Sequence, residues 1–253
     1  MVSVLTLYIT KDTIDQKCYD SVLKQKGVRQ DVIVVSAKKI EVSNNFVVEV
    51  PQSYPLPVRV GLSINRALKV YWNCEKYDYL FKVDGDVLLP QDYLLNLMSK
   101  NKPIVGAGCA MLIEAEFFKT QFGSKWAVTY ADDEYMKAYA FAMGFINELW
   151  EKDDLGISFK YRPPLSRAYI YGKEYYKYGA PIWFMCLRVI ASIRNRIKKL
   201  ATCIPISHSI YSFGGYVSML GTKKYEWHDD YARRLTKLYF QKFISKIKRY
   251  LPI

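Results

Sequence analysis

Asp84-Gly85-Asp86 follows directly on the apolar run Tyr79-Leu-Phe-Lys-Val83. Two carboxylates separated by a glycine, which frees the backbone to turn, can hold a hard divalent cation through oxygen ligands. Such a cation keeps waters and takes its remaining ligands from substrate phosphates. The competing reading is an Asp-Gly hairpin turn. A hairpin needs a second alternating strand, whereas Val87-Leu-Leu-Pro90 leads out toward a helix, which favours the metal reading. A second acidic group, Asp132-Asp133-Glu134, opens a helical pattern. Carboxylates there cap a helix and suit its positive end. Crowding also raises the pKa of one member, as a general base requires. Taken alone, this group is explained by capping.

The elements that must position these acids follow an alternating rhythm. Val2 to Tyr8 is a short β-rich run, and Asp31 to Val35 is a continuous apolar run of strand length, typical of a parallel strand buried on both faces. Asp15 to Gln25 carries a modest helical stripe, Asn45 to Val50 reads as a third strand, and Pro51 to Pro57 as a loop. Gly61 to Trp72 reads as a helix, Tyr79 to Val83 as a strand and Pro90 to Ser99 as a helix. Ile104 to Ile113 reads as one strand running through Gly106 and Gly108, and Asp132 to Phe145 as a helix ending beside Gly144. This order predicts an α/β domain with a mainly parallel sheet, whose ligands bind at the carboxyl ends of the strands.

Four stretches, in order, resemble the family 2 glycosyltransferases. Val2-Ser-Val with Asp20 to Gln25 and Val32 to Val35 is similar to the family's opening strand, helix and second strand. Gly61 to Leu68 is similar to its next helix, and Tyr79 to Leu94 to its Asp-x-Asp strand with the following Leu-Pro-x-x-Tyr-Leu. Gly106-Ala-Gly108 through Phe117-Phe118, then Asp132-Asp133, Ala140 and Gly144-Phe145, is similar to its acceptor segment and acidic helix. The resemblance covers about residues 2 to 180. It implies a GT-A fold: a nucleotide-binding sheet flanked by helices. It also implies a nucleotide-sugar donor and a Mn or Mg cofactor at Asp84 and Asp86, with Asp133 as catalytic base in an inverting transfer. Two departures stand out. Ser36 occupies the place where many relatives carry an Asp for the nucleobase, and Leu7-Tyr8-Ile9-Thr10 replaces the usual Pro-Thr-Tyr-Asn. Tyr8, Thr10 and Ser36 are thus the expected lining of the nucleoside pocket.

Charge divides the chain unevenly. Residues 1–159 hold 18 Lys and Arg against 20 Asp and Glu, and residues 160–253 hold 19 against 4, so the excess behind the net +13 sits in the last third. This suits a neutral catalytic body at 1–180 followed by a basic helical extension at 181–253. Pro181 to Ala191 is apolar but interrupted by Arg188, and falls short of the about 20 residues a span needs. Asp229 to Leu251 sets Leu235, Leu238, Phe243 and Ile247 at helical spacing among basic residues, the pattern of a helix lying on an anionic membrane or packed on its own domain. The N-terminus reads as a strand, not a leader. Five widely spaced cysteines and two histidines argue against zinc, and for reduced thiols. These features lead us to expect a cytoplasmic enzyme, peripheral on the membrane's cytoplasmic face. Its acceptor would be a glycan or lipid-linked hydroxyl, with no nucleic-acid partner. The rivals are a nucleotidyl- or phospho-sugar transferase with the same carboxylate logic, and a nucleic-acid-binding module built on the basic third.

Overall fold

The strand Val2–Ile9 (β1) is buried over most of its length, its polar Ser3 and Thr6 included, as befits a strand covered on both faces. The computed structural model describes residues 1–129, 131–148, 158–159, 165–197 and 206–250. It divides the chain into two units, Met1–Lys137 with Glu148–Arg162, and Ala138–Asn147 with Pro163–Ile253. Residues 138–147 and the helix Leu165–Lys177 group with the C-terminal helices.

In the first unit, β1 leads to α1 (Gln16–Leu23), where the Asp15 carboxylate accepts from the Lys17 and Cys18 backbone N–H groups at 3.1 and 3.3 Å. The strands β2 (Val28–Ser36) and β3 (Asn45–Val47) follow. The helix α2 (Leu56–Tyr71) begins earlier than the expected Gly61, because a proline in the first turn loses no intrahelical hydrogen bond. Then come β4 (Tyr79–Asp84), β5 (Val87–Leu88), α3 (Tyr93–Met98), β6 (Ile104–Ala107), β7 (Ala110–Glu114) and α4 (Ala115–Phe122). The helix α5 (Asp132–Met143) begins in this unit, and the short strand β8 (Ser158–Phe159) pairs with β5.

Six strands form one sheet in the order β3-β2-β1-β4-β7-β6. The first four are parallel, while β7 is antiparallel to both β4 and β6, so β6 again runs with β4. The sheet is thus mostly parallel, with helices around it, as expected. One expectation is corrected here. Ile104 to Ile113 is not a single strand but a hairpin, with Ala107 paired to Ala110 across Gly108-Cys109. Gly106, at φ +99°, takes a backbone conformation that a continuous strand of larger residues would resist. Alternate positions Val4, Tyr8, Val32, Val34, Phe81 and Val83 pack with Tyr93, Leu94 and Leu97 of α3 on one face of the sheet.

The second unit contains α6 (Leu165–Lys177), α7 (Ile182–Ile197), α8 (Ile206–Val217) and α9 (His228–Tyr250). Helices α6 and α8 cross with their backbones in contact: a methyl group on Gly172 would overlap the Ser212 carbonyl, and one on Gly215 the Tyr169 carbonyl. Nearby, the Tyr178 ring stacks on Tyr225 and Trp227 with centroids 5.8 and 5.6 Å away. Among the described residues no helix is long and apolar enough to cross a membrane. Lys198, Lys199 and Leu251, part of the basic and amphipathic segments read from the sequence, lie outside the described residues.

Candidate active site

Strand order reverses direction at β1: β2 and β3 extend to one side and β4 to the other. In open sheets ligands bind outside the carboxyl ends of the strands at such a switch point, and here Thr10 and Asp84 stand at those ends of β1 and β4. The turn after β4 is clamped from both neighbours. The Asp84 N–H donates to the Cys109 carbonyl at 2.7 Å and the Gly85 N–H to the Ile9 carbonyl at 2.8 Å. Tyr8 reaches across from β1 and donates its hydroxyl to the Gly85 carbonyl at 2.7 Å. A side chain at position 85 would crowd Thr10 Cβ at 3.0 Å, so glycine lets the turn lie against Thr10.

Under this turn lies Lys82, only 5% exposed. It shares a strand face with Asp84 because side chains alternate with period two. Its ammonium is 2.6 Å from Asp84 Oδ1 and donates to the Gly108 carbonyl at 2.9 Å. Gly108 in turn carries the Asp133 carboxylate directly on its Cα, in the space a methyl group would occupy. One hairpin turn therefore connects Asp84 on β4 to Asp133 on α5 through a single buried cation. Asp132, beside Asp133, accepts from the Trp126 indole N–H at 2.5 Å.

The electrostatics follow from three acids around one ammonium. Burial depresses the Lys82 pKa, but Asp84, Asp132 and Asp133 together outweigh it and hold the amine charged well above its usual value. Asp84 is raised above the ordinary carboxylate value, chiefly by desolvation and further by Asp133 and Asp86, against the pull of Lys82. Asp132 is pushed up to about 6 by burial first and Asp133 second, with Lys82 and Trp126 opposing. Burial, with Asp84 and Asp133 adding to it, pushes the Cys109 thiol up to about 12, so it is no thiolate nucleophile.

The six residues singled out from the sequence have different places here. Asp84, Asp86 and Thr10 gather at the turn, and Asp133 is tied to it through Gly108 and Lys82. Tyr8 is fully buried, packed edge-on against Tyr19, and acts beneath the turn by holding Gly85. Ser36 is buried as well, donating to the Lys38 carbonyl at 2.6 Å and accepting from Asn45 Nδ2 at 2.7 Å, which fixes the end of β2. Three contributors were missed: Lys82, Gly108 and Trp126. The signal for Lys82 was present, a lysine inside an apolar strand two residues before an aspartate.

No group of three or more His, Cys, Asp or Glu side chains converges as a metal cage among the described residues. The donor set still fits a cation shared with substrate. Asp84 keeps one carboxylate oxygen beyond its ion pair, Asp86 is exposed, and carboxylates outnumber the single buried ammonium. Magnesium-type sites commonly use one or two carboxylates and complete the shell from phosphates and water.

No family model and no curated protein matches the chain. Among solved structures it is similar to S. aureus TarS, residues 1–349 in complex with UDP, at 12% identity and a TM-score of 0.37. The match covers 54% of this chain and 55% of that one, so it spans about half of each. Likeness at this level leaves the family of the chain open.

Proposed function

We propose that this chain is a GT-A-type glycosyltransferase. In this reading it moves a sugar from a nucleotide-activated donor to an acceptor hydroxyl with inversion at the anomeric carbon. The observation that carries the reading is the connection of Asp84 to Asp133 through Lys82 and Gly108, at the switch point of a mostly parallel sheet. It joins two different acidic functions in one crevice. Asp84 and Asp86 would hold Mn or Mg together with the donor diphosphate. The bound cation supplies positive charge against the charge that develops on the departing nucleoside diphosphate. Asp133 takes the acceptor hydroxyl proton as that oxygen attacks, in the general-base role. Thr10 edges the donor crevice, while Tyr8 and Ser36 keep the ends of β1 and β2 in register with it.

A donor panel tests this directly, by following nucleoside diphosphate release with and without Mn or Mg. Cation-dependent release is expected with at least one common donor, and Asp84→Ala should reduce it by about a hundredfold or more. Absence of such release from folded protein across the panel would sink the reading. Pyrophosphate appearing instead would indicate nucleotidyl transfer.

A lipid-linked or surface-glycan acceptor goes with attachment to the cytoplasmic face of a membrane. Support comes from α7, where Ile182, Leu187, Ile190 and Ile193 are exposed along one side of a helix in the strongly basic part of the chain. The protein should float with vesicles containing anionic lipid, and Ile190→Glu with Ile193→Glu should abolish flotation. Unchanged flotation of that double variant would remove α7 as the contact.

A further inference from the structure

Lys82 has no role in the transfer chemistry above, yet it is the most buried charge in the candidate site. Its ammonium occupies Asp84 Oδ1 at 2.6 Å and is anchored from behind by the Gly108 carbonyl at 2.9 Å. A divalent cation at Asp84 and Asp86 would meet this ammonium at close range. It would have to share Asp84 with it and bear its repulsion, which is weakly screened in a buried setting. We propose that Lys82 is a resident counter-ion that competes with a divalent cation for Asp84, keeping the site weak for metal alone. This rests on the cation reading under Proposed function and deepens it. A site weakened in this way fills when a diphosphate adds its own oxygens and negative charge, so cation and donor arrive together. Lys82 is then a positioning residue, acting through Asp84 and through Gly108, the seat of Asp133.

The test uses Mn alone, with no donor. Binding to the full chain is read from the loss of the free Mn electron paramagnetic resonance signal. Lys82→Gln, which keeps a donor for the Gly108 carbonyl but removes the charge, should tighten Mn binding by about tenfold. Lys82→Arg keeps the charge and should stay near wild type. A merely structural lysine predicts weaker or unchanged binding in Lys82→Gln, and either result from folded protein overturns the proposal. If Lys82→Gln does not fold, Mg is titrated into wild-type protein carrying isotope-labelled lysine. The Lys82 side-chain resonance should then shift as Asp84 is shared, and an unmoved resonance overturns the proposal. Equal Mn binding in wild type and Lys82→Gln removes this inference alone. No Mn binding by either removes the cation reading with it.

Discussion

Gly108→Ala is expected to lower turnover by about a hundredfold with the fold intact, because the new methyl group occupies the space of the Asp133 carboxylate. The obstructed atoms are the end of a short side chain, which can swing aside, so the hairpin survives while the carboxylate proposed as the base is displaced. Gly108 is not among the residues with positive φ, and alanine meets no backbone strain there. Asp133→Asn sets the comparison. Removal of a general base costs roughly 10²- to 10⁴-fold, and the Gly108→Ala loss should fall at the lower end of that range. Both variants should keep the donor KM within about threefold, since neither touches Asp84 or Asp86. The measurement is kcat and donor KM from nucleoside diphosphate release. A Gly108→Ala enzyme with wild-type kcat would show that Asp133 does not work from its seat on Gly108.

Gly172→Ala should produce the largest loss of stability. An alanine inside a helix normally gains about 1 kcal/mol over glycine. Here its methyl group would overlap the Ser212 carbonyl oxygen, a backbone atom that cannot rotate away. Forcing α6 and α8 apart costs about 2–3 kcal/mol net, which lowers the melting temperature by roughly 10 °C. Because the obstacle is backbone, adding Ser212→Ala to Gly172→Ala should give no rescue. A melting temperature at or above wild type for Gly172→Ala, or recovery in the double variant, would refute the backbone-contact account.

Much of the framework was readable from local pattern. β1, the second half of β2 and the middle of β4 are short β-rich stretches buried on both faces, and their strand length between turn residues marks them as strands. Asp15, the cap of α1, likewise stands where a short polar side chain should. The hairpin of β6 and β7 was not readable, because its turn is only two residues long and both arms are apolar. Glycines at 106 and 108 looked like interruptions of one strand, when one supplies a positive φ and the other a seat for a carboxylate. Pro55 and Pro57 concealed the first turn of α2, since proline signals loop and helix start alike. The nearness of Asp84 to Asp133 leaves a trace only in their order along the chain. Their wiring through Lys82 was not legible, because an i, i+2 pair becomes an ion pair only when both residues share a buried face. The hydrogen bonds that engage Tyr8 and Ser36, to Gly85, Lys38 and Asn45, join residues far apart or across a strand end and leave no local pattern.

The placement of β7 between β4 and β6 has a consequence for biosynthesis. Strands leave the ribosome in numerical order, but β4's neighbour is β7, not β6. Until Ala110–Glu114 has been made, a nascent chain that already contains β1 to β4 presents the β4 edge with its hydrogen-bonding groups unpaired. An edge of that kind invites pairing with another chain. Stalled or truncated products ending before Gly108 are therefore the species most prone to aggregate, and they also lack the Gly108 and Cys109 carbonyls on which Lys82 and Asp84 are fastened. Covering the β4 edge and fastening the Asp84 turn both wait for the same hairpin to turn back on itself.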